Sequence, residues 1–158
     1  MTPVLLMERL KEYLQVITED VILGELQRRP NIYMIALPLR DTPENNLTQT
    51  EERDERWPFI TIAYSNSIDN ENGYRTITID FTFGCEGKGP EECIDVLNLM
   101  EHIRISLLKE TWEGWPFRLS RPLSMGLKEE QADSYWEGYM TTTWDVPSIV
   151  QEVWKDGF

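Results

Sequence analysis

Residues 74–83, YRTITIDFTF, alternate without a break. Ile77, Ile79, Phe81 and Phe83 fall on one side, and Thr76, Thr78, Asp80 and Thr82 on the other. A period of two predicts a strand with one dry face. The next long stretch, 90–109, changes to steps of three and four. Cys93, Val96, Leu97, Met100, Ile103, Leu107 and Leu108 then share one face of a helix, with Asp95, Asn98, His102, Ser106 and Lys109 on the other. Pro90, Glu91 and Glu92 suit its first turn and Lys109 its last, given the helix dipole. The dry face of the strand needs a cover, and the helix that follows directly is the nearest candidate.

Residues 3–17 predict a first helix, with Leu6, Leu10, Tyr13, Leu14 and Ile17 inward and Pro3 in its first turn. Residues 31–39, NIYMIALPL, read as a strand ending at Pro38, which has no N–H for a ladder. Residues 58–64, PFITIAY, read as a short strand. A polar turn at 65–73 then joins it to 74–83 as a hairpin with a long loop. TWEGW at 111–115 is a turn, and 116–127 is extended but broken by Pro122. In 134–146, Trp136, Met140, Trp144 and Val146 share one side, with Gly138 and Thr142 between them. Tyr135, Tyr139, Thr141, Thr143 and Asp145 share the other, so aromatics on both sides predict a strand covered twice. The tail, 147–158, reads as a last helical turn around Ile149, Val150, Val153 and Trp154. Residues 40–57 are polar and charge-dense, with Leu47 the only aliphatic side chain. Such a segment buries too little to fold alone, which predicts a mobile insertion, either solvated or ordered by a neighbour. The element order predicts an α+β fold: an antiparallel sheet with two main helices packed on one face, in one domain over 1–158.

Composition narrows the function classes. With 41% hydrophobic residues in 158, the chain has material for one core. No apolar run reaches the length of a membrane span. The first residues lack a basic leader, so the protein is expected to stay in the compartment where it is made. A formal net charge of −13 argues against a binder that neutralises phosphates. The same charge serves solubility, or a surface past which DNA slides without sticking. Cys85 and Cys93 are expected as free thiols rather than a disulfide. His102 is expected to be solvated and, with two cysteines, makes a poor zinc site.

Catalytic motifs are missing from the sequence. GCEGKG at 84–89 lacks the spacing of a phosphate-binding loop and reads as a strand-to-helix turn. There is no HExxH or CxxC, and a Ser-His-acid triad would have only His102 to use. No local spacing singles out a carboxylate pair among 28 acids. The expectation is therefore no enzyme, no cofactor and no metal site. Of six tryptophans, Trp136 and Trp144 are assigned to packing. Trp112 and Trp115, in a glycine-containing turn, are candidate contacts to a neighbouring subunit. Arg104 lies close to the apolar face of its helix, where it either snorkels to solvent or pairs with a partner's acid.

PFITI, the alternating strand ending FTFG, DVLNLMEHIRISLL, FRLSRPL and YWEGYMTTTWDVP occur in this order over about residues 57–147. The series resembles small tail-module proteins encoded in prophages of Gram-positive bacteria, of the tail terminator (tail completion, head–tail joining) type. DVLNLMEHIR at 95–104 and MTTTW at 140–144 carry most of the resemblance, and both are structural signatures. The resemblance implies a structural protein of virion assembly, made in the host cytoplasm and built into a phage tail or a headless tail-like particle (a tailocin). It implies a homo-oligomeric ring, commonly a hexamer, that caps the tail tube. The tube protein, and sheath, head-connector or collar proteins, would be its partners, with DNA only as passing cargo and no membrane. A head–tail connector or a tail assembly chaperone is the alternative within that class. A small acidic-cleft enzyme or binding module is the alternative outside it. A ring needs two different patches on each subunit. Candidates are a strand edge at Thr141–Thr143, the side chains of Trp112, Trp115 and Arg104, and Glu51, Glu52, Asp54 and Glu55 of the insertion.

Overall fold

The computed structural model describes residues 2–39 and 54–149. It is an α+β fold: one five-stranded sheet with two helices on a single face. The elements run α1 (Pro3–Ile17), β1 (Asn31–Met34), β2 (Phe59–Asp69), β3 (Tyr74–Glu86), α2 (Pro90–Lys109), β4 (Arg118–Leu127) and β5 (Tyr135–Pro147). Sheet order is β1-β2-β3-β5-β4. All neighbours are antiparallel except β1, which pairs parallel with β2 and departs from the expected all-antiparallel pattern.

β3 is the middle of this sheet. Each of its residues from Tyr74 to Glu86 pairs with β5, and its other edge pairs with β2. Ile77, Ile79, Phe81, Phe83 and Cys85 are buried towards the helices, as the alternation predicts. α1 lies over β1 and β2, and α2 over β3 and β5. The helix bounds follow from local chemistry. The Thr2 hydroxyl accepts from the Leu5 amide at 3.1 Å, and Pro3 fills the position after this cap. At the other end the Thr18 hydroxyl donates to the Leu14 carbonyl at 2.7 Å. Inward residues on α1 are Leu6, Met7, Leu10 and Leu14. On α2 they are Val96, Leu99, Met100, Ile103 and Leu107, so Leu99 replaces Leu97 in the core. The sheet lies along the Val96–Met100–Ile103–Leu107 line, and Leu97 falls about 100° round the helix from Val96.

Three strand expectations change. The strand expected over 31–39 ends at Met34, because Ile35 takes φ 76°, a left-handed backbone that no strand continues through. The turn expected over 65–73 shrinks to 70–73, since β2 continues to Asp69. An irregularity between Tyr64 and Asn66 makes this possible. It puts Ile68 opposite Thr76, on the helix-free face, where Ile68 stays exposed. Finally, β5 is covered along its length on one side only, and on the other side only at Tyr135, under Trp57. Gly138, Met140, Thr142, Trp144 and Val146 are buried, while Tyr139 is exposed and Thr141, Thr143 and Asp145 are half-exposed. The final turn expected at 147–158 lies mostly outside the described residues.

The helix-free face has one apolar patch. Trp57 packs on Phe59 and on Tyr135 with ring centroids 4.5 Å apart in both cases. Phe59 and Trp57 lie against Gly84, where an added Cβ would overlap both rings. Gly84→Ala is therefore expected to lower unfolding free energy by about 1–3 kcal/mol through overpacking. Urea denaturation of the variant against the native chain checks this.

Candidate functional site

Among the described residues, no three His, Cys, Asp or Glu side chains are placed to hold a metal. No helix among the described residues is long and apolar enough to cross a membrane. Cys85 and Cys93 are free. Burial, with Glu86, Asp95 and Glu92 nearby, pushes the Cys85 thiol far up, so it stays protonated and unreactive. His102 is exposed but not merely solvated. Its Nε2 lies 2.6 Å from the Ile17 carbonyl, at the C-terminus of α1. The Tyr13 hydroxyl donates to the Ser106 carbonyl at 3.0 Å, giving a second tie between the helices.

Trp112 is corrected from contact to core. It is 3% exposed, its indole donates to the Leu107 carbonyl at 3.2 Å, and its ring meets Trp144 edge-on at 5.0 Å. The turn explains why. Trp112 takes φ 57° and Gly114 φ 81°, which folds the chain back and turns the first indole under the sheet. Trp115 is half-buried in the same cluster, beside Tyr13 and Phe117. Trp144 at its centre donates to the Thr142 hydroxyl at 2.8 Å, and that hydroxyl donates to the Ile79 carbonyl at 2.9 Å.

Thr141–Thr143 is corrected from edge to interior. β5 runs between β3 and β4, so its backbone groups are already paired. Thr141 and Thr143 instead present side chains on the helix-free face, next to Thr78, Asp80 and Ser120. The sheet edges are β1 and β4. In β4 the ladder slips between Ser120 and Ser124, around the cis Arg121–Pro122 peptide. Arg104 pairs with Glu101 of its own helix at 2.8 Å, with its side chain 40% exposed.

Of the insertion expected to be mobile over 40–57, residues 40–53, with Glu51 and Glu52, lie outside the described residues. The end of it is fixed. Asp54 takes both Nε and Nη2 of Arg56, at 2.8 and 2.6 Å, and Arg56 also donates to the Pro38 carbonyl at 3.0 Å. The Glu55 carbonyl accepts from Asn31 at 2.9 Å, while its own side chain is exposed.

A polar cavity of about 200 Å³ lies beside this anchor, lined by Glu25, Arg28, Asp54, Glu86, Lys88 and Tyr135 among others. Sequence reading missed it, because its residues come from four separate segments and match no motif. The Glu86 carboxylate is held above its ordinary value of 4.5, first by burial and then by Glu25. Arg28, 3.9 Å away, and nearby backbone amides pull it back. A second cleft, about 690 Å³, lies between the hairpin turn and the Trp115–Arg118 loop.

No family model matches this chain, and no curated protein matches it.

Two outcomes follow. Trp112→Ala is expected to lower stability by about 3–5 kcal/mol, read from the denaturation midpoint. An interface tryptophan would leave the isolated subunit unchanged. For Glu86, the folded state binds the proton more tightly than the unfolded state. Stability from this group is present below about pH 4.5 and lost as pH rises through the raised value. Glu86→Gln is expected to raise the thermal midpoint at neutral pH and to flatten that part of the stability–pH curve.

Proposed function

We propose that this chain is a structural ring protein of a phage tail or phage-tail-like particle, and that it caps the tail tube as a terminator. The observation that carries the reading is the ordered series of segments over about residues 57–147 that resembles tail-completion proteins. The geometry supports it in a general way. Both helices lie on one face of the sheet, which leaves the threonine-rich face and the β4 edge free for partners. In such a ring the net charge of −13 per subunit keeps passing DNA from sticking. The tube protein is the first partner, with sheath, collar or head-connector proteins on the other side of the ring.

The mass of the protein in solution, alone and with its tail-tube protein, tests the proposal. A closed ring in either sample, and the chain's presence in purified particles by mass spectrometry, is the expected result. A chain that ignores the tube and is missing from finished particles is an assembly chaperone, and the terminator reading fails.

A further inference from the structure

We propose that the flank formed by β4 and the outer side of α2 receives the acidic outer face of α1 from a second copy of this chain. The inference rests on the ring reading above and names the two patches that a head-to-tail ring requires.

The receiving patch is an apolar shoulder with cations at its rim. β4 is an edge strand, and its helix-side residues Leu119, Leu123 and Met125 are only partly covered. α2 is tied to α1 through Ser106 and His102. A step of 100° per residue puts Leu97 on the opposite flank, towards β4. Leu97 is 42% exposed, and Ile94 one turn earlier is 53% exposed. Segment 116–127 has no acidic residue in a chain with 28 acids and 15 bases. Its Arg121 and Arg118 are exposed, and neither makes an ion pair among the described residues. Arg118 stands opposite Asp145 on the helix-free side of the edge, and the one acid on the α2 flank beside Leu97, Glu101, is neutralised by Arg104 at 2.8 Å. An edge in an acid-rich protein that carries two arginines and no acid of its own, next to exposed aliphatic side chains, suits an anionic, partly apolar surface.

This chain carries such a surface at the opposite end of its sheet. On α1, Leu5, Glu8, Glu12 and Val16 follow one another at steps of three and four, and all are exposed. Arg9 is the exposed cation beside them. α1 covers β1 and β2, whereas the shoulder borders β4. The two patches thus sit at different ends of one subunit, as a heterologous contact demands. The slip at Arg121–Leu123 interrupts the β4 edge, so docking uses side chains rather than strand addition.

A charge swap tests this on the full chain by sedimentation at rising concentration in low salt. Arg118→Glu/Arg121→Glu and Glu8→Arg/Glu12→Arg are each expected to weaken self-association at least about tenfold. Mixing the two variants is expected to restore it, because each then meets a complementary face on the other. Circular dichroism confirms that both fold. Variants that assemble like the native chain, or a mixture that does not recover, overturn the proposed pairing and leave the ring reading standing. A native chain that stays monomeric at every concentration also overturns the pairing, and incorporation into particles then decides the ring reading separately.

Discussion

A strand that alternates apolar and polar side chains for most of its length can have only one dry face, and β3 is hydrogen-bonded on both edges. Everything else is arranged around that. Ile77, Ile79, Phe81 and Phe83 must be covered from one side, so both helices are drawn there. The threonines opposite leave the other face wet. A two-layer domain with one polar sheet surface follows from this one strand, because exposing the dry face would forfeit most of the available apolar burial.

Two aromatic clusters close the ends of the structure. Near the end of α2, Trp112, Trp115, Phe117 and Trp144 join Tyr13 of the first helix. One cluster thus connects both helices, the turn after α2 and the sheet. Its indoles are not left polar in an apolar site, since the Leu107 carbonyl and the Thr142 hydroxyl take their hydrogens. On the helix-free side, Trp57, Phe59 and Tyr135 fix the end of the insertion onto Gly84. Residues 54–57 before β2 are therefore firmly anchored, reinforced by the Asp54–Arg56 pair.

For the proposed assembly, what matters is which surfaces remain unpaired once the core is built. β5 is used up inside the sheet. The open ends are the β4 flank, cationic and partly apolar, and the α1 face, anionic and partly apolar. In the proposed ring, each would meet the other on a neighbouring subunit.

Sequence alone determined the helices at 3–17 and 90–109, the dry face of β3 and the α+β class. These depend on periodicity and capping, which act within one or two turns of chain. It also placed Thr141 and Thr143 on the side of β5 away from Trp144. Tertiary structure alone decided the rest. Strand order put β5 in the interior and so removed the edge at 141–143. A left-handed turn carried Trp112 into the core, although tryptophans beside a glycine read as exposed. Leu97 lost its core place to Leu99, because the direction in which a helix meets a sheet is not written in its own period. The Glu86 cavity drew its residues from segments far apart in the chain. Local patterns are set by neighbours in sequence. Strand order, burial of turn residues and shared cavities are set by which surfaces meet, and those exist only after the chain has folded.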